Sequence, residues 1–123
     1  MLIYKQKTGQ LFRGDTLIAV GYSGHDVGKN DPLSQHIHDV GPIPQGCYWL
    51  GEERDTAEHG PVVLPLIAVT GTEAFGRSGF LIHGDSVARP GAASHGCIIL
   101  DRHVREDIAT KKDRLLVVLS GIL

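Results

Sequence analysis

Cysteine is scarce in this chain of 123 residues, which has only Cys47 and Cys97. One disulfide is the most that count allows, so a framework of bridges is excluded as the source of stability. No hydrophobic run approaches the ~20 residues of a spanning helix, and membrane insertion is not expected. Charge of one sign is lacking too: 12 Lys and Arg stand against 14 Asp and Glu, a net charge of −2. Such a surface offers no basic field to nucleic acid or to acidic membranes. The opening Met1-Leu2-Ile3-Tyr4-Lys5 has no basic segment, apolar core and small-residue cleavage site of the kind that directs export. Internal repeats, low-complexity tracts and linkers are also missing, which leaves one domain over residues 1–123 as the expected organisation.

What is plentiful is glycine, sixteen residues, with six prolines beside it. That balance predicts a turn-rich, mainly β fold with one or two short helices. Leu2 to Lys5, Gln10 to Arg13 and Thr16 to Tyr22 are β-prone runs separated by Thr8-Gly9 and Gly14-Asp15, a meander. Ser23 to Val40 shows no sustained period and predicts a long loop of the kind that carries function. Gly41-Pro42-Ile43-Pro44-Gln45-Gly46 forces an extended, turning path into a strand over Cys47 to Gly51. Glu52-Glu53-Arg54-Asp55 with Glu58 reads as a solvated loop. Pro61 to Thr70, Phe80 to His83, Ile98 to Leu100 and Leu115 to Leu119 are the remaining strands. Asp101 to Thr110 is the one convincing helix: Asp101 offers an N-cap, Val104 and Ile108 share a face, and Arg105 follows Asp101 by four residues.

The chemistry gathers at Ser94-His95-Gly96-Cys97, read with His83-Gly84. A thiol titrates near ~8.5, and a neighbouring base or a cluster of backbone N–H groups can bring it into the nucleophilic range. Cys97 is therefore the candidate nucleophile, against the rival readings of a core thiol or a metal ligand. The N–H groups of His95, Gly96 and Cys97 form a candidate oxyanion site, with Ser94 and Gly96 shaping the loop. His83 ends a strand, which would fix its imidazole, and is the better candidate base; its second nitrogen has the Gly84 carbonyl or the Asp85 side chain to orient it. His95 fits a pocket residue better than a base. His36, His38, His83, His95 and Cys97 make a zinc site on paper, without a cysteine pair or His-Glu-x-x-His helix to support it. Cys47, beside Tyr48 and Trp49, reads as a buried structural thiol. Arg77, Arg89 and Arg102 flank the motif, and each is a surface arginine or a partner for a substrate carboxylate.

Ile82-His83-Gly84, a ten-residue stretch from Gly84 to Ala93, and Ser94-His95-Gly96-Cys97-Ile98 together resemble the signature of the L,D-transpeptidase catalytic domain (YkuD type). Gly41-Pro42-Ile43-Pro44-x-Gly46-x-Tyr48 is similar to the turn that precedes a strand in that family. In its compactness the chain most resembles the short L,D-transpeptidase-like type VI secretion effectors, with Tyr22-Ser23-Gly24, Lys29-Asn30-x-Pro32 and His36 as further points of likeness. The resemblance covers Gly21 to about Ile108.

It implies a β-sandwich or open barrel and acyl transfer on peptidoglycan tetrapeptide stems, with Cys97 as nucleophile, His83 as base, His95 in the pocket and no metal or organic cofactor. Water, a free D-amino acid or a stem-peptide amine would resolve the thioester. It makes Tyr22 and His36 candidate substrate contacts. The family usually carries arginine two residues after the cysteine, where this chain has Ile99; Arg89 or Arg102 is the expected substitute. An enzyme acting on the cell wall without an export signal predicts a monomeric antibacterial toxin, delivered by a secretion system to a target cell's periplasm and countered by an immunity protein. A phage or cell-wall remodelling enzyme of the same fold, a non-catalytic peptidoglycan-binding module and a zinc hydrolase using His36, His38 and His83 are the alternatives.

Overall fold

Alternation of inward and outward side chains builds most of the molecule. In the computed structural model, which describes residues 1–122, the chain forms β1 (Leu2–Lys5), β2 (Gln10–Arg13), β3 (Thr16–Val20), β4 (Tyr22–Ser23), β5 (Gly46–Leu50), β6 (Arg54–Thr56), β7 (Gly60–Ala68), β8 (Leu81–His83), β9 (Ile98–Ile99), α1 (Arg102–Lys111) and β10 (Leu115–Leu119). Leu2 and Tyr4 of β1, Leu116 and Val118 of β10, and Tyr48 and Leu50 of β5 point inward at two-residue spacing. Burying these and Leu11, Leu64, Leu66, Ile82, Ile98 and Leu100 in one cluster is the main force for the fold.

The strands form one sheet in the order β3-β2-β1-β10-β5-β7-β8-β9-β4, with β6 pairing off this path against β7. β10 enters parallel to β1, Leu2 opposite Leu116, and β9 runs parallel to β8. The two ends of the path, β3 and β4, are consecutive in the chain and separated only by Gly21. The sheet is thus curled into a nearly closed barrel. Gly21 donates its N–H to Gly9 O at 2.8 Å. A Cβ there would lie 2.0 Å from Ile99 O, so the chain passes from one edge to the other where only glycine fits.

α1 packs on β7 and β8 through Val104, Arg105 and Ile108. It ends at Lys112, whose φ of 54° is left-handed and whose N–H returns to Ala109 O and Ile108 O. The long loop predicted over Ser23 to Val40 contains two 3₁₀ turns, Asp26–Gly28 and Pro32–Ser34. Buried Gln6 ties it to the strands by donating to Ile43 O at 2.8 Å and Gln35 Oε1 at 3.1 Å. None of the helices among the described residues is long and apolar enough to cross a membrane.

The mainly β architecture is as expected, and the differences are local. The run Thr16 to Tyr22 breaks at Gly21 because it changes sheet edge there. The acidic stretch read as a solvated loop is exposed throughout, but Arg54 and Asp55 within it fall in β6, which pairs with β7 as a hairpin. Asp101 stands at the N-cap of α1 without a side-chain cap bond. Arg105 does not pair with Asp101; it is buried, and its guanidinium donates to the carbonyls of Leu100, Pro61 and Val62. Cys47 is half-buried rather than buried, and both cysteines are free thiols.

Candidate active site

Sheet register brings the principal residues together. Ile82 lies opposite Ile98 and His83 opposite Ile99 in the parallel β8–β9 pair. Ile82 and Ile98 enter the core, and alternation sends the next residues to the other face. Cys97, two before Ile99, falls on the side of His83. The two line one cleft of about 560 Å³ with His38, Asp39, Glu58, His59, Arg77 and His95, a size that accepts a small peptide. A second hollow, between Leu50, Glu52, Ile108 and Lys112, holds no cysteine or histidine.

His83 is 3% exposed. Its Nδ1 donates to Gly84 O at 2.8 Å, which leaves Nε2 as the basic atom. Asp85 does not orient it: that carboxylate accepts from Tyr22 Oη at 2.7 Å and from the N–H groups of Ser86 and Gly91. Burial lowers the pKa of His83 from its ordinary value; the Gly84 bond opposes this, while His59 and Arg105 add to it. The imidazole is neutral at pH 7.

Burial pushes the Cys97 thiol up, against the smaller opposing influences of a Leu81 backbone hydrogen bond and the Arg77 charge. The expectation that its neighbours bring the thiol's pKa down is reversed by desolvation. A neutral thiol and a neutral imidazole thus line the same cleft, a combination that suits base-assisted attack rather than a standing thiolate.

Two serines shape the loop of Cys97. Ser94 Oγ accepts from Gly24 N–H at 2.9 Å and Gly96 N–H at 3.1 Å, and donates to Cys97 O at 2.6 Å. Ser23 Oγ accepts from Ile43 N–H at 2.9 Å and donates to Gly96 O at 3.3 Å. Gly96 takes φ +131°, and a Cβ there would lie 2.5 Å from Arg77 Nη2. Because the Gly96 N–H is committed to Ser94, the candidate oxyanion donors narrow to the N–H groups of His95 and Cys97.

The other candidates are dispersed. His95 is exposed at the cleft, stacked on His25 with centroids 4.6 Å apart, its Nδ1 3.3 Å from Asp39 O. Tyr22 braces the loop between β8 and Cys97, donating to Asp85 and accepting from Ala93 N–H at 2.9 Å. His36 is exposed, edge-on to Phe75, while His38 lines the cleft. The three histidines weighed for zinc therefore do not meet, and among the described residues no three His, Cys, Asp or Glu side chains gather as a metal site. Arg89 and Arg102 are exposed and outside the cleft, the latter 3.9 Å from Glu106 on α1.

The cation in the cleft is Arg77, 6% exposed, donating to the carbonyls of Gln35, Gly41 and Pro42. It fastens the Gly41-Pro42 turn beside Cys97, a role its sequence surroundings did not signal. His59 was also missed. It rests on His83 with centroids 4.2 Å apart, delivered by a hairpin whose tip lies 38 residues before Cys97, in a stretch whose composition reads as solvated.

No curated protein matches the chain. The model of the Tlde1 domain matches residues 18–119, from within β3 to the end of β10, so the match includes the cleft. With most of its length covered and with Cys97 and His83 inside the matched span, the chain belongs to the Tlde1 domain family, a type VI secretion effector family known as L,D-transpeptidase-like.

Proposed function

We propose that the protein is a cysteine-dependent acyl-transfer enzyme acting on peptidoglycan tetrapeptide stems, and that it serves as an antibacterial effector. Its family membership is consistent with the second part. The observation that carries the first is the cleft shared by Cys97 and by a buried, neutral His83 whose Nδ1 is fixed on Gly84 O.

His83 Nε2 takes the thiol proton as Sγ attacks the carbonyl of the L-centre of diaminopimelate. The tetrahedral oxyanion forms against the N–H groups of His95 and Cys97, and the field of Arg77 favours the growing negative charge. The imidazolium then returns its proton to the amine of D-Ala as the C–N bond breaks, leaving a thioester on Cys97. Water completes an L,D-carboxypeptidase cycle; a free D-amino acid gives exchange, and a stem-peptide amine gives a crosslink. Purified protein incubated with tetrapeptide muropeptides should release D-Ala, read by mass spectrometry, and Cys97→Ala should reduce the rate by about 10³-fold or more. Wild-type protein that gives no product, or a Cys97→Ala variant that matches it, overturns the reading.

A further inference from the structure

The tip of the β6–β7 hairpin carries a side chain that the acyl-transfer cycle does not use. His59 lays its imidazole on that of His83, with centroids 4.2 Å apart and planes 30° from parallel. The backbone beneath it is held on several sides. The His59 N–H donates to Thr56 Oγ1 at 2.9 Å. Three residues on, Val62 takes φ +55°, a conformation that a β-branched side chain adopts only under constraint. Asp55 accepts from Val62 N–H at 3.1 Å, and buried Arg105 of α1 donates to Pro61 O at 2.7 Å and Val62 O at 2.9 Å. A strained residue at the start of β7, pinned by a buried guanidinium, gives the hairpin a fixed direction, over the cleft.

We infer that His59 is a positioning residue for His83: its ring holds the neighbouring imidazole in the orientation that bonds Nδ1 to Gly84 and gives Nε2 to the cleft, and keeps water off the covered face. This rests on His83 being the general base. A histidine χ2 is a broad torsion, and one hydrogen bond at Nδ1 leaves the ring room to swing. A flat ring against one face removes that room. The stack also acts on charge, because an imidazolium in one ring repels a proton on the other. The groups facing His83 are His59 from the hairpin and Arg105 from α1, which disfavour its protonation, Asp85 from the following loop, which favours it, and the neutral Cys97 thiol in the same cleft. Glu58, its Oε1 3.7 Å from His59 Nε2, is the carboxylate that faces His59.

The test compares His59→Ala, His59→Phe and His83→Ala by the rate at which iodoacetamide alkylates Cys97 between pH 5 and 9, resolved from Cys47 by mass spectrometry, and by D-Ala release. His59→Ala should slow both by roughly tenfold, a part of the 10²–10⁴ that a positioned base supplies. It should leave KM unchanged and move the acid limb to higher pH. His59→Phe, a flat ring without a titrating group, should restore the rate and keep the limb low. His59→Ala with wild-type rate and limb, or His59→Phe no better than alanine, overturns the inference. If His83→Ala itself alkylates like wild type, the base assignment fails and the role of His59 falls with it. If His83→Ala abolishes the limb while His59→Ala keeps it, the role of His59 alone falls. If the alkylation behaves as expected but no D-Ala is released, the substrate reading fails and the inference on His59 stands.

Discussion

Burial moves the pKa values of His83 and Cys97 in opposite directions, His83 down and Cys97 up, and both shifts bear on pH. Below the ordinary histidine value of ~6.5 the unfolded chain takes up a proton that folded His83 refuses, so stability falls as the solution is acidified towards the depressed value. Above the ordinary thiol value of ~8.5 the unfolded chain releases a proton that folded Cys97 keeps, so stability falls again as pH rises. Urea titrations across pH 5 to 10 should therefore give a maximum between about 6.5 and 8.5, and Cys97→Ala should flatten the alkaline side selectively. A curve still rising above pH 9, or an alkaline side unchanged in Cys97→Ala, contradicts this account of the pair. That Cys97 and His83 would meet in one cleft was legible in the sequence, because glycines, serine and strand pattern frame them locally. The direction of the thiol's shift was not, since it comes from burial in a cleft whose other walls, Phe80, Arg77 and the hairpin tip, are brought there by the fold and by no local pattern.

Elements, rather than residues, decide where the cleft's walls stand. α1 was legible from its apolar spacing, but the same spacing suggested a surface pair between Asp101 and Arg105. Arg105 instead faces inward, where its fork joins the helix to the β6–β7 hairpin and to the strand exit at Leu100. Nothing in the sequence separates a buried arginine on backbone carbonyls from an exposed one on a carboxylate, because two of the three acceptors, Pro61 and Val62, lie 44 and 43 residues away. Removing the fork leaves three carbonyls without it, at about 1–3 kcal/mol for each that stays buried and unpaired. Arg105→Met should lose about 3 kcal/mol or more in urea titration, and Arg105→Lys should recover little of it, since an ammonium cannot span the planar set of acceptors. The same variants should lower D-Ala release at temperatures where they remain folded, because the hairpin bearing His59 loses its anchor. Arg105→Lys with wild-type stability would show that charge, not the fork, holds the hairpin.

At the scale of the whole molecule the site depends on closing the sheet. β4 is the strand that completes the circuit, pairing Tyr22 with Ile99 and Ser23 with Ile98, and it carries the Ser23 hydroxyl that accepts from Ile43 and donates to Gly96. Closure and the shape of the Cys97 loop are therefore one event. It runs through Gly21, packed between Gly9 O and Ile99 O so closely that a methyl group would displace backbone rather than a flexible side chain. The meander was legible as strands and turns, but its closure was not, because Gly21 looks like any turn glycine until β9 is beside it. Gly14 provides the contrast: φ is +58° and a Cβ there would meet nothing within 4 Å. Gly14→Ala should cost about 1 kcal/mol through its backbone conformation alone and leave the D-Ala release rate unchanged. Gly21→Ala should cost about 3 kcal/mol or more, as overpacking against rigid neighbours does. It should also slow D-Ala release and Cys97 alkylation in the fraction that stays folded, since β4 can accommodate the methyl only by shifting from β9 and taking Ser23 with it. If the two variants lose equal stability and Gly21→Ala keeps full activity, β4 is a passive edge, and the Cys97 loop is held by Ser94 and Arg77 without the curl of the sheet.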